Sequence, residues 1–161
     1  MAPTTRGTAA HEGNGALAKA PPPAEVVRHF LNALAERDVD AAMELLADDV
    51  VYINVSTPAM HGRDRIRQAF TRAMRLPGAG FEVYFHSIAG QGGTVLTERT
   101  DVLIWGRLRV QIWVCGRFDV EDGRITLWKD YFDWVNVTAA LLRGLLATAV
   151  PALGAKAPAG N

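Results

Sequence analysis

The chain of 161 residues has one cysteine, Cys115, so it can form no internal disulfide, and nothing in its cysteine usage calls for an oxidising compartment. It also lacks an excess of either charge: 17 Lys and Arg face 17 Asp and Glu. That balance removes the electrostatic reason to expect nucleic acid or an acidic membrane as partner. No apolar run reaches the length of a membrane span. The opening stretch MAPTTRGTAAHEGNGALAKAPPP has no continuous apolar segment of the signal-peptide kind. A cytoplasmic protein without stable membrane insertion is the expectation. His11, His29, His61 and His86 fall at no metal-ligand spacing, so no metal and no cofactor are expected. There is no G-x-S-x-G elbow, which excludes the covalent hydrolases built on that motif.

What is present is enough apolar material for one core: 49% of residues are hydrophobic. The spacing predicts a disordered tail over 1–23, one domain over 24–152 and a flexible end over 153–161. AEVVRHFLNALAERD predicts a helix, with Val26, Val27, Phe30, Leu31 and Leu34 forming one stripe. AAMELLAD predicts a second, capped by Asp38 or Asp40. VVYINV predicts a strand near 50–55. HGRDRIRQAFTRAM predicts a third helix, with Ile66, Phe70 and Met74 in register and five arginines (63, 65, 67, 72 and 75) on its solvated face. Four strand-like runs follow: FEVYFHSIA, TVLTERTDVLIW, LRVQIWVCGRFDV and RITLWKDYFDW. The turns between them are Gly-rich, and Asp122-Gly123 is a hairpin signal. VTAALLRGLLATAV closes the chain as a nearly all-apolar helix. Helices segregated against a mostly antiparallel meander define an α+β fold, with three helices in the N-terminal half and one at the C-terminus. A long, strongly curved sheet of this kind rolls into a cone whose inside is an apolar pocket.

Three strands place polar residues where apolar neighbours lie. Residues two apart on a strand share a face, so Arg99 and Asp101 lie with Val95 and Leu103. Asp130 shares parity with Thr126, Trp128, Phe132 and Trp134, while Ile125, Leu127 and Lys129 fall in the alternate set. Tyr52 and Asn54 share a face on the VVYINV strand. Each taken singly fits an ion pair or polar side chain on a solvated sheet face. Together they suggest a polar cluster at the floor of an apolar pocket, because a buried carboxylate costs several kcal/mol unless paired.

The cluster resembles that of the limonene epoxide hydrolases, on R-T-D at 99–101, W-K-D-Y-F-D at 128–133 and Y-I-N at 52–54. The resemblance spans about 25–150 and looks closest to actinobacterial and mycobacterial members. Lys129 stands where that family usually has arginine. The resemblance implies a fold like nuclear transport factor 2 and one-step addition of water to an epoxide, without a covalent enzyme intermediate. It implies Asp101 as general acid, Asp130 as general base, Arg99 between them, and Tyr52 and Asn54 holding the water. It further implies a catalytic domain over 24–152, a homodimer through the open sheet face, and a hydrophobic epoxide plus water as the small-molecule partners. Parity puts Leu103, Trp128 and Phe132 on the pocket wall; the resemblance adds Leu34, Ile112 and Val114. The C-terminal helix is expected as a lid on the cone or a dimer contact, with a lipid-collecting interfacial helix as the alternative. Two rival functions share the scaffold: a ketosteroid isomerase-like proton transfer enzyme and a non-catalytic binding module.

Overall fold

The computed structural model describes residues 21–156 and Pro158. The tail expected over 1–23 lies outside the described residues up to residue 20, as does His11. Helix α1 (Pro23–Ala35) starts within the stretch read as tail, with Pro23 at its first position, where the missing N–H costs nothing. Its expected stripe is its buried face: Val26, Val27, Phe30, Leu31 and Leu34 are all buried. Helix α2 (Val39–Glu44) is capped by Asp38, whose carboxylate accepts from the Ala41 N–H at 2.9 Å.

The second helix ends earlier than AAMELLAD predicts. Leu46 already belongs to strand β1 (Leu46–Asn54), where it pairs with Ile125 and is fully buried. Tertiary pairing overrides the local helical preference there. Strand β2 (Met60–His61) was not expected; it adds two residues antiparallel to β1. Helix α3 (Arg63–Met74) turns Ile66 into the core.

The meander is β3 (Ala79–Gln91), β4 (Thr94–Trp105), β5 (Leu108–Glu121) and β6 (Arg124–Tyr131). The sheet order is β2-β1-β6-β5-β4-β3, antiparallel except where β1 runs parallel to β6. The architecture is α+β, as expected. The β5–β6 hairpin turns at Asp122 (φ 48°) and Gly123 (φ 77°), two positive angles of the kind that a twisted two-residue hairpin requires.

Two expected placements on β6 differ. Ile125 is fully buried rather than grouped with Lys129, because the pairing of β5 with β6 shifts between Asp119 and Val120 and re-aims side chains there. Trp134 is not on the strand. Asp133 accepts from the Val135 N–H at 2.7 Å and starts helix α4 (Trp134–Ala149), which leaves Trp134 half-exposed.

Helix α1 packs on one face of the sheet. Helix α4 lies against β5 from the side of Arg109 and Gln111, the parity opposite to Val110, Ile112 and Val114. Gly144 permits the contact: a Cβ there would stand 2.5 Å from the Arg109 carbonyl oxygen. The large side chains of α4, including Leu142, Leu145 and Leu146, point outward. No helix among the described residues is long and apolar enough to cross a membrane.

Candidate active site

The site forms where four strands align their inner faces. Parallel pairing of β1 with β6 sets Tyr52 beside Trp128 and Asn54 beside Asp130. Antiparallel pairing of β4 with β5 sets Arg99 opposite Val114 and Asp101 opposite Ile112. Alternation along β4 turns Thr97, Arg99 and Asp101 inward together, and all three are buried.

Arg99 is fully buried. It donates from Nε to Asp101 Oδ1 (2.9 Å), from Nη2 to Asp130 Oδ1 (2.8 Å) and from Nη1 to Thr97 Oγ1 (2.9 Å). Its guanidinium also lies 5.9 Å from the Phe118 ring centroid, within cation–π range. Among the described residues, every buried side-chain nitrogen and oxygen has a partner. Asp130 accepts a second bond, from the Trp128 indole Nε1 to Oδ2 at 2.8 Å. Asn54 donates to the Tyr52 hydroxyl at 2.8 Å, and the Tyr52 ring stacks on Trp128 with centroids 3.9 Å apart.

The two carboxyls are therefore not equivalent. Asp130 has a charged and a neutral donor on its two oxygens, whereas Asp101 has one donor. Burial pushes Asp101 up to about 6, against the pull of Arg99, and the neighbouring Asp130 charge pushes the same way. Burial also raises Asp130, while Arg99 and the Trp128 indole favour its ionised form. Burial opposes charge on Arg99 as well, but the two aspartates outweigh it and hold the guanidinium above its usual value. Tyr52 is raised by burial and then by Asp130, so its hydroxyl keeps its proton. One cation between two carboxyls favours one ionised carboxylate and one neutral acid, and the pair titrates as a unit.

Above this floor is an apolar cavity of about 260 Å³. Tyr52, Asn54, Asp101 and Asp130 line it; Arg99 lies behind them. All six expected wall residues, Leu34, Leu103, Ile112, Val114, Trp128 and Phe132, also line it. Phe70, Met74 and Phe81 join the wall without having been singled out for it. Phe70 and Met74 were legible as an α3 stripe, but helical spacing alone does not separate a core face from a cavity wall. No α4 side chain lines the cavity, so that helix is not its lid. Trp128 does more than pack: its indole N–H fixes a carboxylate oxygen of Asp130. No group of three or more His, Cys, Asp or Glu among the described residues could hold a metal ion.

Comparison with known proteins joins these features to a family. Residues 21–143 match the limonene-1,2-epoxide hydrolase catalytic domain. The chain is 52% identical over 130 residues to epoxide hydrolase EphG of Mycobacterium tuberculosis, covering 80% of this chain and 85% of that one. The solved structure of an M. tuberculosis LEH-like epoxide hydrolase superposes with a TM-score of 0.79 at 49% identity, covering 84% of this chain and 95% of that one. An NTF2-like protein of unknown function from Burkholderia pseudomallei shares the fold alone, with a TM-score of 0.63 at 17% identity over 75% of this chain and 98% of that one. A family match over most of the chain, together with a relative 52% identical over 130 residues, makes this protein of NTF2-like fold an epoxide hydrolase belonging to the limonene-1,2-epoxide hydrolase family.

Proposed function

We propose that the protein adds water to an epoxide on a hydrophobic body in one step, giving a vicinal diol by acid–base catalysis and without a cofactor or covalent intermediate. The observation that carries this reading is one buried guanidinium bonded to two aspartates that both line an apolar cavity. Water is a weak nucleophile, and an epoxide oxygen leaves poorly without a proton, so the reaction needs a base and an acid at once. Asp130, with two donors supporting its anion, is the base. Asp101, pushed up by burial and held by one donor, is the acid. Asn54, beside Asp130 in the strand pairing, and Tyr52, bonded to Asn54, orient the water.

In the step, the water oxygen bonds to an epoxide carbon as that carbon's bond to the epoxide oxygen breaks. One water proton passes to Asp130, and the Asp101 proton passes to the leaving oxygen. The net effect on the enzyme is one proton moved from Asp101 to Asp130, which exchange with solvent reverses. Acid and base at about 10²–10⁴-fold each would lower the barrier by roughly 5–11 kcal/mol. Leu103, Ile112, Val114, Leu34, Trp128 and Phe132 present hydrocarbon to the rest of the substrate, which suits a terpenoid, lipid or steroid-like body. The catalytic domain spans 24–152 in this reading, in a cytoplasmic homodimer. The exposed Leu96 and Trp113 on the outer sheet face and the outward leucines of α4 are the apolar surface that a second copy would cover.

The test is hydrolysis of a panel of hydrophobic epoxides by the wild type, Asp101→Asn and Asp130→Asn. Both variants are expected to fold and to lose activity by more than a thousandfold. In a single turnover in labelled water, the label should enter the diol; unlabelled diol would instead mean an ester intermediate. Light scattering checks the dimer.

A further inference from the structure

Arg99 and Asp130 are not on neighbouring strands. β5 runs between β4 and β6, and the guanidinium must cross it to reach Asp130. The crossing point is Gly116, whose backbone pairs with Thr97 on one side and with Asp130 on the other. A Cβ at Gly116 would collide with Arg99 Nη1 and would lie 2.6 Å from Thr97 Oγ1 and 2.9 Å from the Phe118 ring. Glycine therefore leaves a notch in the β5 surface, and the guanidinium fills it. In the notch, the third edge of the guanidinium meets the Thr97 hydroxyl, which is buried and accepts from Nη1 at 2.9 Å.

We propose that Thr97 is a positioning residue for epoxide hydrolysis, its hydroxyl setting the rotation of the Arg99 guanidinium within the notch left by Gly116. The inference rests on the Asp101–Arg99–Asp130 reading above. A planar guanidinium has five N–H donors in a rigid fork, so fixing Nη1 also fixes where Nε and Nη2 point. With Nη1 on Thr97, Nε faces Asp101 and Nη2 faces Asp130. Without that acceptor, the buried Nη1 has an unmet donor, and the fork turns to find another. Turning it lengthens the bond to one carboxyl or both, which weakens the charge that separates acid from base. Thr97 touches neither water nor epoxide in this arrangement and does not line the cavity; it acts through Arg99.

The experiment compares Thr97→Val, which keeps the β-branched shape and removes the acceptor, with Thr97→Ser, which keeps the acceptor and removes the methyl. Thr97→Val should lower kcat by about 10–100-fold with KM within about twofold of wild type. Both limbs of its pH–rate profile should move to higher pH, because each carboxyl feels a less well placed cation. Thr97→Ser should recover kcat to within about threefold and restore the profile. If Thr97→Val does not fold, Thr97→Ala carries the same expectation. Valine or alanine variants with wild-type kcat and profile would overturn the proposal. So would a serine variant as impaired as the valine one, which would assign the effect to packing of the methyl. Asp101→Asn and Asp130→Asn run alongside: if they keep activity the acid–base reading fails, and if they are inactive while Thr97→Val is unimpaired this inference alone fails.

Discussion

Two of the regions in which arginine meets aspartate differ in their surroundings. On the inner sheet face, Arg99 binds Asp101 and Asp130 with side chains 0%, 12% and 6% exposed. On α3, Arg63 meets Asp48 at 2.5 Å and Arg67 meets Asp40, but those aspartates are 78% and 86% exposed. The α3 contacts are no longer than the inner ones, so it is the surroundings that set the regions apart. Water screens the α3 pairs, and pairs of that kind contribute about 0–1 kcal/mol. The inner cluster has lost that screening, so each charge there needs its partners, and removing one leaves the others stranded. Solvated pairs are a surface property. A buried cluster is retained at a cost in stability, for which shifted proton affinities are the return.

Removing Arg99 is the severest way to break the contrast. Arg99→Met leaves two carboxyls facing each other in an apolar pocket. Activity should vanish, and unfolding in urea at neutral pH should show a loss of about 3–5 kcal/mol. Part of that loss should be regained on acidification, as the carboxyls take up protons. Arg99→Lys should also be inactive, because a single ammonium cannot serve Thr97, Asp101 and Asp130 in the fork geometry. An Arg99→Met variant as stable as wild type would erase the difference between the two regions. Neutralising the whole cluster sharpens it: Arg99→Met with Asp101→Asn and Asp130→Asn should recover most of the stability while remaining inactive, since no buried charge is left unpaired.

A smaller effect lies in pH. The folded-state value of Asp101, about 6, exceeds its ordinary value of 3.8. Between those values the folded protein holds a proton that the unfolded chain has released. Asp101 therefore contributes most at low pH, and its contribution declines as pH rises from about 4 to 6. The shift corresponds to roughly 3 kcal/mol across that window as an upper bound. Urea titrations of wild type and Asp101→Asn should diverge there, with the wild type losing stability relative to the variant as pH increases. In activity, kcat/KM should fall as pH rises through about 6, where the free enzyme's acid loses its proton.

How far each region was legible follows from the same physics. Period-two alternation alone put Arg99 and Asp101 on one face among apolar neighbours, and the stripe of α1 followed from its spacing. Alternation could not say which strands meet. The parallel pairing of β1 with β6 brings Asn54 to Asp130 across more than seventy residues, and no local pattern encodes it. Ile125 was misplaced because a register shift reverses a face without changing composition. Trp128 was read as wall, although W-x-D at strand spacing puts an indole donor beside a carboxylate much as R-x-D does. Thr97 sits two residues before Arg99 with the same parity, and its role emerged only when the notch at Gly116 was visible.

The least effect should come from the solvated pairs. Arg67→Ala removes the partner of Asp40, but that carboxylate is then solvated rather than stranded. Unfolding free energy should change by no more than about 1 kcal/mol, and the change should shrink further in 0.5 M salt, where the screening length falls below 5 Å. Arg63 has one tie more, donating to the Leu46 carbonyl at 3.3 Å as well as meeting Asp48. That carbonyl is at the start of β1, the strand that carries Tyr52 and Asn54. Arg63→Ala should therefore cost slightly more than Arg67→Ala, with a remainder that salt does not remove. Epoxide turnover by both variants should stay within about twofold of wild type. A loss of turnover in Arg67→Ala would show that the helix surface is coupled to the buried cluster, and the two regions could no longer be treated as independent.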